Sequence, residues 1–208
     1  ARQATAHNLG DAQALEMILD IPVGSLRLRP ASQIEAQISG FIPRSSTFKV
    51  IEEFALQEER AVYHLGVQGK AFGIPALGGN WLWEFTLPPQ QGVTLQIQQG
   101  AGNADLDLDG LMLRALDAEF GVGQWKVVLP AGKETRAKIS GAVGQILIIV
   151  PQQAAVRLRC ERGLAYLRLP ENYLRVDEVY TSPSYASSAQ KIELDLSMAV
   201  GAIIVQTR

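Results

Sequence analysis

The chain has 208 residues, 47% of them hydrophobic, with a formal net charge of −2 and a sequence pI near 5.8. That apolar content excludes a disordered chain, and the near-neutral balance without a Lys/Arg run excludes the basic footprint of a nucleic-acid binder. The longest apolar run, Ile146 to Val150, is too short to cross a bilayer, so membrane attachment is expected only through an anchor outside these residues.

Residues 1–14 are polar and aperiodic and read as a tail or linker. The polar start, without an initiator methionine, suits the mature end of an exported chain. First strands are expected at Met17 to Ile21, Leu26 to Arg29 and Ile34 to Ile38. Residues 39–80 read as an insertion: a hairpin of Phe48 to Leu56 and Arg60 to Val67 around Gln57-Glu58-Glu59, then a glycine-rich loop from Gly66 to Asn80. That loop lacks the Lys-Ser/Thr and the strand–Gly–helix setting of a phosphate loop.

From Trp81 to Pro170 the chain repeats. Extended runs end in Leu-Pro or Val-Pro at Pro88, Pro130, Pro151 and Pro170, spaced 42 (twice 21), 21 and 19 residues apart. A glycine precedes each of the last three runs (Gly123, Gly144, Gly163), and Gly102 marks the coil between Pro88 and Pro130. Apolar residues alternate with period two on both sides of these glycines, as in Leu116 and Ala118 before Gly123 and Trp125, Val127 and Leu129 after it. Gly24 and Gly201 fit the same template. Each copy therefore reads as strand, glycine turn, strand, and a period near 21 residues identifies an all-β solenoid whose coils are stable only when stacked. Residues 171–190, rich in Tyr, Ser and Pro, read as an excursion from one coil, and Lys191 to Gln206 as the last coil. The lone Cys160 excludes an intrachain disulfide and falls on the inward phase, as a buried and inert thiol would.

Three features could carry chemistry. Asp105, Asp107 and Asp109 open like a calcium loop, but position 12 is Leu116 and the alternation with Leu106 and Leu108 says strand. A solvated face is the simpler reading, with Asp105 paired to Lys126 one coil away; whether calcium binds there is left open. The same carboxylates raise a polysaccharide-active enzyme as an alternative, yet Val128, Leu147 and Ile149 beside them build no polar groove for acid–base work. His7 lies in the tail and His64 stands alone on a strand. Of the aromatic run, Trp83 and Phe85 fall inward and Trp81 alone is expected at the surface, where it could stack on a sugar. The informative feature is an apolar outer row, Val128, Leu147, Ile149, Leu164 and Tyr166, covered either by the 39–80 hairpin, by the Tyr-rich excursion or by another molecule. No residue set calls for a cofactor.

The runs Gly-Ala-Gly-Asn-Ala-Asp-Leu-Asp-Leu-Asp-Gly (100–110), Gly-Val-Gly-Gln-Trp-Lys-Val-Val-Leu-Pro (121–130) and Ala-Val-Gly-Gln-Ile-Leu-Ile-Ile-Val-Pro (142–151), with the closing Ala-Val-Gly-Ala-Ile-Ile-Val (199–205), resemble the toast-rack bacterial proteins. That group includes candidate adhesins and the C-terminal domain of cell-wall-active antibiotics response proteins. The resemblance covers residues 15–208 and implies one right-handed, single-stranded β-helix-like domain on the outer side of a bacterial membrane, with no catalytic residues to carry over. The expected role is a non-enzymatic adhesion or assembly module that binds a protein partner or a second copy of itself. An envelope-stress sensor domain is the alternative.

Overall fold

The computed structural model describes residues 1–32, 35–46, 48–69, 81–132 and 134–208, and these form strands and turns without a helix. The strands are β1 (Arg2–Asn8), β2 (Ala14–Val23), β3 (Ser25–Pro30), β4 (Gln37–Pro43), β5 (Lys49–Gln57), β6 (Arg60–Gln68), β7 (Leu82–Leu87) and β8 (Gly92–Ala101). They continue as β9 (Ala104–Asp107), β10 (Met112–Val128), β11 (Glu134–Val150), β12 (Ala155–Arg168), β13 (Leu174–Val176), β14 (Val179–Thr181) and β15 (Lys191–Thr207).

The long strands are each two arms joined by a corner, and their burial pattern shows why. In β10 the buried residues are Leu116, Ala118 and Phe120 before the corner but Trp125 and Val127 after it, so the inward phase moves from even to odd positions. In β11 it moves from Ala137 and Ile139 to Ile146 and Ile148, and in β15 from Leu194 and Leu196 to Ile203 and Val205. A strand whose side chains alternate with period two can face one core from both arms only if the corner turns a residue outward and resets the phase. The pairs β2/β3 and β8/β9 do the same with a short break at the corner, and both arms close on one apolar core.

At the corner the coils touch backbone to backbone. A Cβ on Gly144 would sit 1.8 Å from the Gly123 carbonyl oxygen, and one on Gly123 would sit 1.7 Å from that of Gly102. Gly144 also has φ +141°, which side-chain-bearing residues rarely adopt. The stack can be this tight because the column Gly102, Gly123, Gly144, Gly201 carries no side chain. In β12 the position opposite Gly201 is Ala165, and Gly163 lies opposite Ala199. The fourth corner is therefore two residues later than the glycine suggests, and the 21-residue spacing holds through residue 165.

Coils stack in parallel, but not in chain order. The sequence of layers is β6/β7, β2/β3, β8/β9, β10, β11, β15, β12. The first two coils are exchanged at one end and the last two at the other, so β15, expected to close the stack, lies inside it between β11 and β12. The hairpin expected in 39–80 is present as β5 and β6, with Glu58 at φ 50° in its turn. It is no insertion, however: β6 is the first arm of a coil. The strand expected at Ile34 to Ile38 runs instead over β4, with Ile34 outside the described residues. Most of the glycine-rich loop, residues 70–80, lies outside them as well.

Each end carries antiparallel strands. β5 covers β6, while β4 covers β7 and β1 covers β4. Residues 1–14 are therefore not a tail: β1 pairs along its length, and Leu9 and Ala12 are in the core. At the other end β14 covers β12 only from Arg157 to Arg159, and β13 covers β14.

Candidate interaction surface

The two outer faces of the stack differ in chemistry. On the first arms, same-face neighbours run Ala115, Arg136, Glu193, Arg157 in one row and Asp117, Lys138, Asp195, Arg159 in the next. Signs alternate strand by strand, and Arg136 Nε lies 3.8 Å from Glu193 Oε2. These rows floor a groove of about 600 Å³. Each charge there has an opposite charge one strand away, so the ladder satisfies itself and stabilises strand order rather than selecting a ligand of one sign.

The second arms present an apolar face. At the position before each corner glycine, same-row neighbours are Val23, Ala101, Val122, Val143, Val200 and Leu164. Val122 is 55% exposed, Val143 45%, Val200 44% and Leu164 85%. Behind this ridge, on the same face, come a mixed row of Gln124, Gln145, Ala202 and Tyr166, then Lys126, Leu147, Ile204 and Arg168, and then Val128, Ile149 and Gln206, so the apolar character is continuous along the ridge and broken behind it by the two glutamines. Ridge and rows cover roughly 20 Å along the strands and about 14 Å across four of them, on the order of 300 Å². That is the size of the largest apolar patch on an ordinary monomer, and below the ~800 Å² per partner of a stable interface. It can be the apolar centre of a contact but not the whole of one.

Of the residues expected on this surface, Leu164 is the most exposed and Tyr166 follows at 63%. Leu147 and Ile149 are half-buried. Val128, at 8% exposure, is covered, flanked across the ladder by Asp107 and Ile149. Trp81 is not at the surface as expected: it is half-buried, edge-on to Phe48 at 4.6 Å, and its carbonyl accepts the Ser25 amide at 2.7 Å. Neither expected cover lies over the row, since the β5–β6 hairpin and the 171–190 excursion join the stack at its opposite ends. The valine ridge was legible only as the Val-Gly pair repeated at 122–123, 143–144 and 200–201, beside the glycines rather than among the strand positions.

The three aspartates do not converge. Asp105 is held by the Arg29 guanidinium, which also donates 2.9 Å to the Asp105 carbonyl; Lys126, the partner expected for it, is its ladder neighbour on the other side. Asp107 accepts the Asp109 amide at 3.3 Å. Asp109 takes Arg208 Nη1 at 2.9 Å, and that guanidinium holds its carboxyl below the ordinary range. Among the described residues no three His, Cys, Asp or Glu side chains are grouped to hold a metal. Cys160 is half-buried, and burial pushes its thiol up, away from the reactive thiolate.

His7, expected in a tail, belongs to a cluster at the β1 end. Its ring stacks on Phe54 at 4.8 Å and its Nε2 lies 3.3 Å from Glu52 Oε1. The same oxygen accepts Thr5 Oγ1 at 2.6 Å and the Tyr63 hydroxyl at 2.8 Å. Burial pushes Glu52 up, but the three hydrogen bonds outweigh it and its carboxyl lies below the ordinary value. All three donors share one oxygen and His7 uses one nitrogen toward both Thr5 and Glu52, so the cluster lacks a nucleophile–base–orienter relay. It clasps β1 to β5 across the end of the core.

A family model described as the N-terminal domain of toast_rack, DUF2154, matches residues 2–149, beginning inside β1. A solved structure, a candidate cell adhesion protein from Clostridium sporogenes ATCC 15579, superposes with a TM-score of 0.90 at 18% identity, covering 100% of this chain and 99% of that one. Another, a candidate adhesin from Bacteroides fragilis NCTC 9343, covers 99% of this chain and 97% of that one at 9% identity, with a TM-score of only 0.30. No curated protein matches the chain.

Proposed function

The chain belongs to the toast-rack family, and from that premise we propose that it is a non-enzymatic adhesion or assembly module of the outer bacterial envelope, working through the apolar face of its second arms. The observation that carries this reading is the ridge Val122, Val143, Val200 and Leu164, left open in a molecule whose other outer face is neutralised by alternating charges. Exposed, contiguous apolar rows of this kind mark contact sites. The solved neighbour described as a candidate cell adhesion protein agrees with the role. An enzymatic reading finds no support in the aspartates, two of which are committed to guanidinium groups.

The test uses Val143→Glu with Val200→Glu. Both side chains are exposed, so the far-UV spectrum should match that of the parent, while the two glutamates, opposite each other across β11 and β15, should lower the thermal midpoint only slightly. Retention of bacterial envelope fragments on the immobilised chain should drop at least ~10-fold, the loss expected when charges enter an apolar contact. Equal retention by parent and variant would remove the second-arm face from the function.

A further inference from the structure

The stack has two different ends. At one, the second arm of β12 bonds to β15 on one side, and β14, which covers the first arm, stops at Arg159. From Arg162 to Arg168 no described strand lies on the other side. This open edge carries Leu164 and Tyr166, both largely exposed, bracketed by Arg162 and Arg168. One of its carbonyls, that of Ala165, is satisfied by the strand's own Arg162 Nη1 at 3.2 Å. Such an edge is a template for another strand.

At the other end two strands have one described neighbour each, β1 on β4 and β5 on β6, and β1 carries Arg2 and no carboxylate, which leaves β5 as the acidic edge. It exposes Leu56, Ala55 and Glu53. The charges of the two edges are opposite. The open arm of β12, residues 162–168, carries Arg162 and Arg168 and no carboxylate, or +2, while Arg157 and Arg159 lie where β14 already pairs. Residues 49–59, β5 and its turn, have Lys49 against Glu52, Glu53, Glu58 and Glu59, or +1 − 4 = −3. Pairing of two β12 edges with each other is disfavoured, because the antiparallel register that sets Leu164 against Tyr166 also sets Arg162 against Arg168.

We propose that the open edge of β12 accepts the β5 edge of a second copy of the chain, so that molecules join end to end and the sheet continues from one into the next. The contact is heterologous: each molecule keeps one free end of each kind, and growth does not close. It deepens the assembly reading above and shares Leu164 with the ridge, but it rests on the unpaired backbone edges of β12 and β5, so Val143→Glu with Val200→Glu is the variant that separates the two.

Light scattering over a concentration series tests it with two variants. One blocks the β12 edge (Leu164→Glu with Tyr166→Glu), the other the β5 edge (Glu53→Arg with Leu56→Arg), and all four side chains are exposed. The parent should grow heavier without a plateau at the dimer. Each variant alone should stay at 22.6 kDa. An equal mixture should rise to at least twice that mass, since each variant retains the one end its partner needs and the side chains introduced at the two substituted edges are themselves opposite in charge. Should the first variant misfold, Arg168→Glu alone replaces it and should weaken association ~10-fold by charge reversal. A parent that remains monomeric, a variant that still self-associates, or a mixture no heavier than its components would overturn the proposal. Val143→Glu with Val200→Glu should leave the parent's growth unchanged; loss of growth there would move the contact to the ridge and overturn the end-to-end assignment.

Discussion

Gly144 shows how much of this fold hangs on single atoms. A Cβ there meets backbone, the Gly123 carbonyl oxygen, which cannot swing aside as a side-chain tip could. Gly144→Ala should therefore cost about 3 kcal/mol, read as a lowered urea midpoint. Gly110, at φ +82° with nothing within 4 Å of its would-be Cβ, should lose only about 1–2 kcal/mol as Ala, from backbone strain alone. Glu52 works through charge instead. Its folded-state pKa lies below the ordinary 4.5, so its contribution to stability is present above that value and is lost as pH falls through the folded value. Parent stability should drop on acidification below about pH 4.5, and the Glu52→Gln variant should lack this component, the two urea-midpoint curves converging at low pH.

At the scale of elements the placement of β15 decides behaviour. In a stack built in chain order the last coil is an end layer that can peel away. Here β15 bonds to β11 along one edge and to β12 along the other, and its Leu194, Leu196, Met198, Ile203 and Val205 are buried. Its amides should exchange with solvent only on global unfolding, as slowly as those of β11. The β13–β14 hairpin, short, exposed along β13 and held by three pairs to β12, should exchange by local opening well before either. Slower exchange in β13–β14 than in β15 would contradict the layer order.

For the whole molecule, the crossed ends tie the stack together. Solenoids with sequential coils can fray stepwise, each coil depending on its nearest neighbours. Exchanging the first two coils and the last two means that neither the first coil in sequence, β2/β3, nor the last, β15, leaves without opening an interior ladder, whereas the edge strand β1 can. Urea unfolding followed by far-UV dichroism should coincide with that followed by fluorescence of Trp83, near one end, and Trp125, near the middle, both buried. Separate midpoints would show that the ends melt independently.

What the residues determined by themselves was everything local. Period-two alternation around Gly102, Gly123 and Gly144 identifies the arms, the corners and the inward side chains, because side-chain phase and the freedom of glycine depend on a few neighbouring residues. Where the reading slipped, at Gly163 instead of Ala165, the slip was two residues, which preserves inside and outside but misaligns the outer rows. The polar look of residues 1–14 concealed β1, because an edge strand over the end of a core needs only two or three apolar contacts and its His7 and Thr5 meet a carboxylate that lies 45 or more residues away. Tertiary structure alone decided the order of layers and the open β12 edge. Every coil carries the same period and the same apolar inward row, so each can pair with any other, and the choice among stackings is made only when both ends are covered and one common core is closed.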